Sequence, residues 1–141
     1  MAALRPAALT SRVGRVLWLW GPVLAYMALI YYESSLSVAP LPSGWSDKVA
    51  HLLGYVALGC LMARALGGGF PRTLGWRVVW LSVVLTAFYG VTDEWHQRSV
   101  AGRTADVMDL VFDTAGGVLG TMAVWACGIL WPRWTGRSAT S

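Results

Sequence analysis

The segment Leu110–Trp131, LVFDTAGGVLGTMAVWACGILW, is apolar along almost its whole length and contains a single charged residue, Asp113. A helix needs about 20 such residues to cross the ~30 Å hydrocarbon core of a bilayer. A backbone surrounded by lipid must also satisfy its own hydrogen bonds, which an isolated strand cannot do. The segment therefore predicts a transmembrane helix.

Three further segments have the same apolar character and a similar length, namely residues 13–32, 49–66 and 76–92. The connectors between the segments contain helix breakers, and so does the end of the last one: Pro40, Pro42, Gly44, Gly67, Gly68, Gly69, Pro71 and Pro132. The sequence predicts an all-α protein, an integral membrane bundle of four transmembrane helices within residues 13–131. Residues 1–12 and 132–141 flank this bundle.

The composition also indicates a chain solvated by lipid. Hydrophobic residues make up 56% of the 141 residues and the mean hydropathy is +0.54, while only 13% are charged. Soluble domains carry about 25% charged residues, so a soluble globular domain is excluded, as are disordered and collagen-like chains. Cys60 and Cys127 both lie in apolar runs, which argues against a disulfide framework.

Charged residues change sign between successive connectors. The N-terminal segment, the second connector with its flanks and the tail contain only basic residues: Arg5, Arg12, Arg15, Arg64, Arg72, Arg77, Arg133 and Arg137. All seven carboxylates lie in or beside the other two connectors, together with Lys48, Arg98 and Arg103. The positive-inside rule then predicts that both termini are cytoplasmic (N-in, C-in) and that the carboxylates lie at the outer face. A charge pattern of this kind favours a membrane over a nucleic-acid partner.

A cleaved signal peptide is the alternative interpretation of the first segment. Basic residues precede its apolar run, and Ser37-Val38-Ala39 has the small residues of a cleavage site. Pro40 directly follows that site and argues against cleavage, and removal would leave an odd number of spans. We therefore expect the first helix to be retained.

The second span begins with regularly spaced polar residues. Asp47, His51 and Tyr55 recur every four residues and so share one helical face, with Lys48 beside them. An ionisable group inside a span is costly and by default indicates function. The alternative is a helix N-cap followed by an interfacial histidine and a tyrosine in the aromatic belt.

The third span ends in a second polar group. Tyr89, Asp93, His96 and Gln97 share a face if the helix continues past the interface, and Glu94 lies beside them. The Asp93-x-x-His96 spacing is similar to the Glu-x-x-His spacing by which helix bundles offer a carboxylate and an imidazole to one metal ion. The alternative is a hydrated turn at the membrane boundary.

The fourth segment begins with a stripe of aspartates at positions 106, 109 and 113. Acidic residues in a first turn are favourable against the helix dipole, which explains Asp106 without a function. Asp113 lies within the apolar run and must meet a basic residue, a histidine, a metal ion or a proton. Further along, Gly116-x-x-x-Gly120 predicts close helix packing.

Three spans thus bring polar side chains to the same end of the bundle, and we expect these side chains to meet in one outer pocket. The predicted ligand-binding residues are Asp47, Lys48, His51, Tyr55, Tyr89, Asp93, Glu94, His96, Gln97, Arg103, Asp109 and Asp113. Arg103 and Lys48 are the expected contacts for a phosphate or carboxylate group.

Three motifs occur in order between Asp47 and Gly120. They are Asp47-Lys48-x-x-His51-x-x-x-Tyr55, then Tyr89-Gly90-x-x-Asp93-Glu94-x-His96-Gln97, then Gly102-Arg103 followed by Asp109, Asp113 and Gly116. Together they resemble the VanZ-like family of small bacterial membrane proteins, whose namesake is linked to resistance to the glycopeptide teicoplanin. The resemblance implies a multi-pass protein of the bacterial cytoplasmic membrane with a task in the cell envelope. The family pattern usually has Asn at the position of Asp113, so the site here is more acidic.

Four functions stay open at this point. The first is an outer pocket for an amphipathic ligand: a lipid head group, a lipid-linked cell-wall precursor or a glycopeptide. The second is a metal-assisted or acid/base hydrolase or transferase acting on a lipid. Its candidate catalytic residues are His51, His96, Asp93 and Glu94, and the candidate ligands of a divalent metal are Asp93, His96, Asp109 and Asp113.

The third function is ion or proton movement, which the apolar cytoplasmic halves of the spans disfavour. The fourth is a scaffold for other envelope proteins. Self-association also stays open, because the glycine motif would serve packing within one chain or between two chains.

Overall fold

The computed structural model describes residues 11–37, 43–70 and 73–134, with side chains up to residue 130. These residues form four helices: α1 (Arg12–Ser34), α2 (Asp47–Leu66), α3 (Trp76–Gln97) and α4 (Val107–Trp134). No strand occurs in the described residues, and the predicted all-α class is confirmed. The structure leaves most of the flanking segments 1–12 and 132–141 undescribed, and the side chains of residues 132–134 with them. Val38 and Ala39, which belong to the possible signal-peptide cleavage site, also lie outside the described residues.

Three of the helices are long and apolar enough to cross a membrane: α1, α2 and residues 107–130 of α4. The protein is therefore a multi-pass membrane protein. α3 has a similar length, but Arg77 lies at its start and Asp93 and Glu94 lie near its end, which shortens its apolar run. That α3 forms a fourth span stays a prediction.

The helix ends explain how polar side chains enter the bundle. The hydroxyl of Ser46 accepts a hydrogen bond from the amide of Val49 at 3.3 Å and caps α2. α3 continues beyond the predicted span end at residue 92 and ends at Gln97. Its last turn and a half therefore presents Asp93 and Gln97 from a regular helix.

α2 and α4 form the most extensive helix pair, and residue numbers increase together along their contact, so the two helices run parallel. Gly116 and Gly120, the predicted packing residues, lie against the α2 backbone at Leu52 and Val56. A Cβ atom on either glycine would overlap a backbone carbonyl of α2. The Cys60 thiol donates a hydrogen bond to the Gly120 carbonyl at 3.3 Å, which adds a polar contact between the two helices.

α1 packs against α2 and α3, and its described residues make no contact with α4. Leu19, Val23 and Ile30 of α1 form a core cluster with Tyr55 and Leu58 of α2. At the end opposite the acidic residues, the Arg64 guanidinium lies 4.0 Å from the Trp18 ring centre and donates to the Trp18 carbonyl at 3.1 Å. At the acidic end of the bundle, α1, α2 and α3 enclose a cavity.

We expect Gly120→Ala to lower the free energy of unfolding by about 1–3 kcal/mol, because the added methyl group would overlap the α2 backbone at Val56. Gly54→Ala is the matched control. A Cβ there meets nothing within 4 Å, and helix propensity favours alanine by about 0.5–1 kcal/mol. Unfolding in detergent measures both variants, and equal behaviour would contradict the close α2–α4 contact.

Candidate functional site

His51 of α2 lies between carboxylates on both sides of its ring. Its Nδ1 atom is 2.9 Å from Oδ1 of Asp113, and its Nε2 atom is 3.8 Å from Oδ2 of Asp47 and 4.0 Å from Oδ2 of Asp109. Asp113 is fully buried, and α3 approaches it closely, since a Cβ on Gly90 would lie 3.0 Å from its Oδ2 atom. A histidine is therefore the partner that Asp113 finds inside the bundle.

Lys48 connects the start of α2 to the start of α4. Its Nζ atom lies 2.6 Å from Oδ2 of Asp106 and 3.1 Å from Oδ1 of Asp109. The hydrogen bond from Lys48 lowers the pKa of the Asp106 carboxyl, and the amide of Met108 adds to this effect by donating to Oδ1 at 2.8 Å. Asp106 thus caps α4 and also binds Lys48.

Arg103 holds the α3–α4 connector against the end of α1. Its Nε atom donates to the Leu36 carbonyl at 3.1 Å and an Nη2 donates to the Glu33 carbonyl at 3.4 Å. Its Nη1 atom lies 3.6 Å from Oδ1 of Asp47. Both predicted anion-binding cations, Lys48 and Arg103, are therefore engaged by groups of the protein itself.

The polar residues of α3 divide into two groups. Glu94 and Gln97 are buried: Oε2 of Glu94 accepts from the Asp106 amide at 3.1 Å, and the Gln97 amide donates to Oδ2 of Asp93 at 3.2 Å. His96 instead contacts the end of α1, with Nε2 2.9 Å from the Ser35 hydroxyl. His96 thus lies against α1, whereas His51 pairs with α4.

The two predicted tyrosines also differ. The Tyr89 hydroxyl donates to the Met27 carbonyl at 2.6 Å and joins α3 to α1. The Tyr55 hydroxyl is buried and has no hydrogen-bond partner among the described residues. Oε1 of Glu94 and Oδ2 of Asp113 are also buried without a partner there. Because such a group costs about 1–3 kcal/mol, we expect these three atoms to meet water, an ion or a ligand.

A cavity of about 180 Å³ lies between α1, α2 and α3 at the acidic end of the bundle. Six predicted site residues line it: Asp47, His51, Tyr55, Asp93, Gln97 and Arg103. Lys48, Tyr89, Glu94, His96, Asp109 and Asp113 do not.

α1 forms the opposite wall with Tyr26, Leu29, Ile30, Glu33 and Ser34, which the sequence analysis did not include. An apolar residue of a membrane span looks the same in sequence whether it faces lipid or a cavity. Only the polar pair Glu33 and Ser34, at the predicted outer end of the first span, offered a signal.

Two groups of three side chains in the described residues place potential metal ligands within 4.8 Å of one another, and both contain His51. One group adds Asp47 and Asp109, and the other adds Glu94 and Asp113. The metal ligands proposed from the sequence were Asp93, His96, Asp109 and Asp113. Asp109 and Asp113 fall in different groups, and Asp93 and His96 belong to neither.

A family model described as VanZ/LLP1 matches residues 9–130, a range that includes nearly all of the helical bundle and every residue discussed at its acidic end. No curated protein and no solved structure matches the chain.

We expect Lys48→Met to lower the unfolding temperature in detergent at neutral pH, because it leaves the buried carboxylate of Asp109 without its cation. Arg98→Met is the control, since Arg98 is exposed and makes no ion pair in the described residues. Because the pKa of Asp106 is lowered, the stability that its ion pair with Lys48 contributes is fully present above the ordinary pKa range of aspartate. This contribution to stability is lost as the pH falls through the pKa of Asp106 in the folded protein. Equal unfolding temperatures for the two variants would contradict the role of Lys48.

Proposed function

Because the chain belongs to the VanZ/LLP1 family, we propose that it binds the polar head group of a membrane amphiphile in its outer cavity. The protein would lie in the bacterial cytoplasmic membrane with four spans and cytoplasmic termini. The alternating sign of the connector charges supports this orientation, since the basic connectors flank one end of the helices and the carboxylates the other.

The amphipathic lining of the cavity is the observation that carries the proposal. Leu29 and Ile30 of α1 supply apolar surface, while Asp47, His51 and Arg103 supply charged and polar groups. Tyr55 lines the same cavity, and its hydroxyl is buried without a partner among the described residues. A ligand with an apolar part and a hydrogen-bonding head would satisfy both kinds of surface.

The charges favour a head group that donates hydrogen bonds, such as one bearing hydroxyl or amino groups. Lys48 is bound to Asp106 and Asp109 and does not line the cavity. Arg103 donates to two backbone carbonyls. The cavity lining therefore offers mainly acceptor oxygens, which suit hydroxyl and amino donors better than a phosphate.

The size of the cavity favours a lipid over a glycopeptide. Its volume of about 180 Å³ is below the roughly 300 Å³ at which pockets for drug-sized ligands begin. A lipid head group or the polar part of a lipid-linked precursor fits this volume better than a whole glycopeptide. Any role in glycopeptide resistance would then act through the membrane lipid or precursor.

A hydrolase acting on the same lipid is the second candidate. The buried carboxylate of Asp113 holds Nδ1 of His51, and His51 lines the cavity, which is the arrangement of a general base with an orienting carboxylate. Binding predicts that an intact lipid is retained, whereas hydrolysis predicts truncated lipids whose formation requires His51.

We expect Gly54→Leu to abolish retention of a co-purified lipid, because Gly54 lines the cavity and the new side chain would occupy it. Gly21→Leu is the matched control in α1, since a Cβ at either glycine meets nothing within 4 Å. Native mass spectrometry of protein extracted with its own lipids measures the bound fraction and the lipid mass. Equal lipid retention by the two variants would contradict the proposal.

Labelling of single cysteines tests the topology. In a Cys60→Ala, Cys127→Ala background, Ser99→Cys in the α3–α4 connector should react with a membrane-impermeant maleimide on intact cells. Thr73→Cys, before α3, should react only after lysis. Both residues are exposed. Labelling of both on intact cells would show that α3 does not span, and the reverse pattern would invert the orientation.

A further inference from the structure

We infer that His51, Glu94 and Asp113 form a binding site for one divalent transition-metal ion, of the Zn²⁺ or Mn²⁺ class, where α2, α3 and α4 meet. One potential ligand atom from each residue lies within 4.8 Å of the others. The site shares His51 with the head-group cavity but does not depend on that proposal, because Glu94 and Asp113 do not line the cavity.

Two carboxylate oxygens at this site are held in place and lack a partner. Oε2 of Glu94 accepts from the Asp106 amide, which leaves Oε1 free, and Oδ1 of Asp113 lies against His51, which leaves Oδ2 free. Glu94 is 8% exposed and Asp113 is fully buried. A buried carboxylate oxygen needs a donor or a cation, and an ion bound by Glu94 and Asp113 would supply the missing positive charge.

The distribution of cations selects this side of the imidazole ring over the other. On the Nε2 side, Lys48 binds Asp109 and Arg103 lies near Asp47. On the Nδ1 side, neither Glu94 nor Asp113 forms an ion pair with any lysine or arginine that the structure describes. Glu94 and Asp113 are therefore the carboxylates around His51 that lack a lysine or arginine partner in the described residues.

The donor atoms indicate the class of metal. One imidazole nitrogen and two carboxylates are ligands that Zn²⁺ and Mn²⁺ accept, and facing helices of a bundle commonly supply such a set. On binding, Nδ1 would coordinate the ion and release its proton to solvent. Nε2 would keep its proton, facing the carboxylates of Asp47 and Asp109.

The test uses full-length protein in detergent, stripped with a chelator and titrated with Mn²⁺, with bound ion measured by electron paramagnetic resonance and elemental analysis. We expect about one ion per chain. His51→Gln and Glu94→Gln should each weaken binding at least about tenfold. His96→Gln and Glu33→Gln are the matched controls and should bind as the unmodified protein does, because neither residue belongs to the set.

A nitrogen coupling in the Mn²⁺ spectrum that is present in the unmodified protein and absent in His51→Gln would identify the imidazole ligand. If His51→Gln fails to fold, Glu94→Gln decides the question, together with a nitrogen coupling that persists in His96→Gln, since the chain has two histidines. Substoichiometric binding, or equal affinity in His51→Gln and His96→Gln, would overturn the inference. So would loss of the ion in Asp47→Asn but not in Glu94→Gln, since the ion would then occupy the other group. None of these results depends on whether a lipid is retained.

Discussion

The burial of Asp113 inside an apolar helix is the constraint on which the rest of the structure depends. A carboxylate inside a span is costly unless it meets a partner, and here His51 of α2 lies 2.9 Å away. The same two helices also approach until their backbones touch, which Gly116 and Gly120 allow because neither has a Cβ. The glycine contact and the His51–Asp113 contact are thus two parts of one interface between α2 and α4.

At the acidic end of the bundle, the two cations are paired within the protein, whereas some carboxylate oxygens have no partner in the described residues. Lys48 and Arg103 connect chain segments that are far apart in sequence: α2 with the start of α4, and the α3–α4 connector with the end of α1. Both cations are therefore already paired with groups of the protein. Acceptor oxygens on Glu94 and Asp113 have no partner in the described residues, so the acidic end of the bundle is suited to hydrogen-bond donors and cations.

Much of this arrangement was predictable from spacing alone. Asp47, His51 and Tyr55 share a face because a helix repeats every 3.6 residues, and all three line the cavity. The different surroundings of the two histidines were not predictable. His51 and His96 both follow an acidic residue at helical spacing, yet His96 contacts Ser35 of α1 and His51 contacts Asp113 of α4. The rotation of each helix within the bundle makes that difference.

By itself the sequence determined the all-α class, the apolar helices and the end of the bundle at which polar residues collect. These features follow from local composition and from the geometry of a single helix. Only the tertiary structure decided which carboxylate meets a cation, which histidine meets α4 and that α1 forms a wall of the cavity. Such contacts join residues far apart in the chain, so they depend on how closely the helices approach and how each is turned.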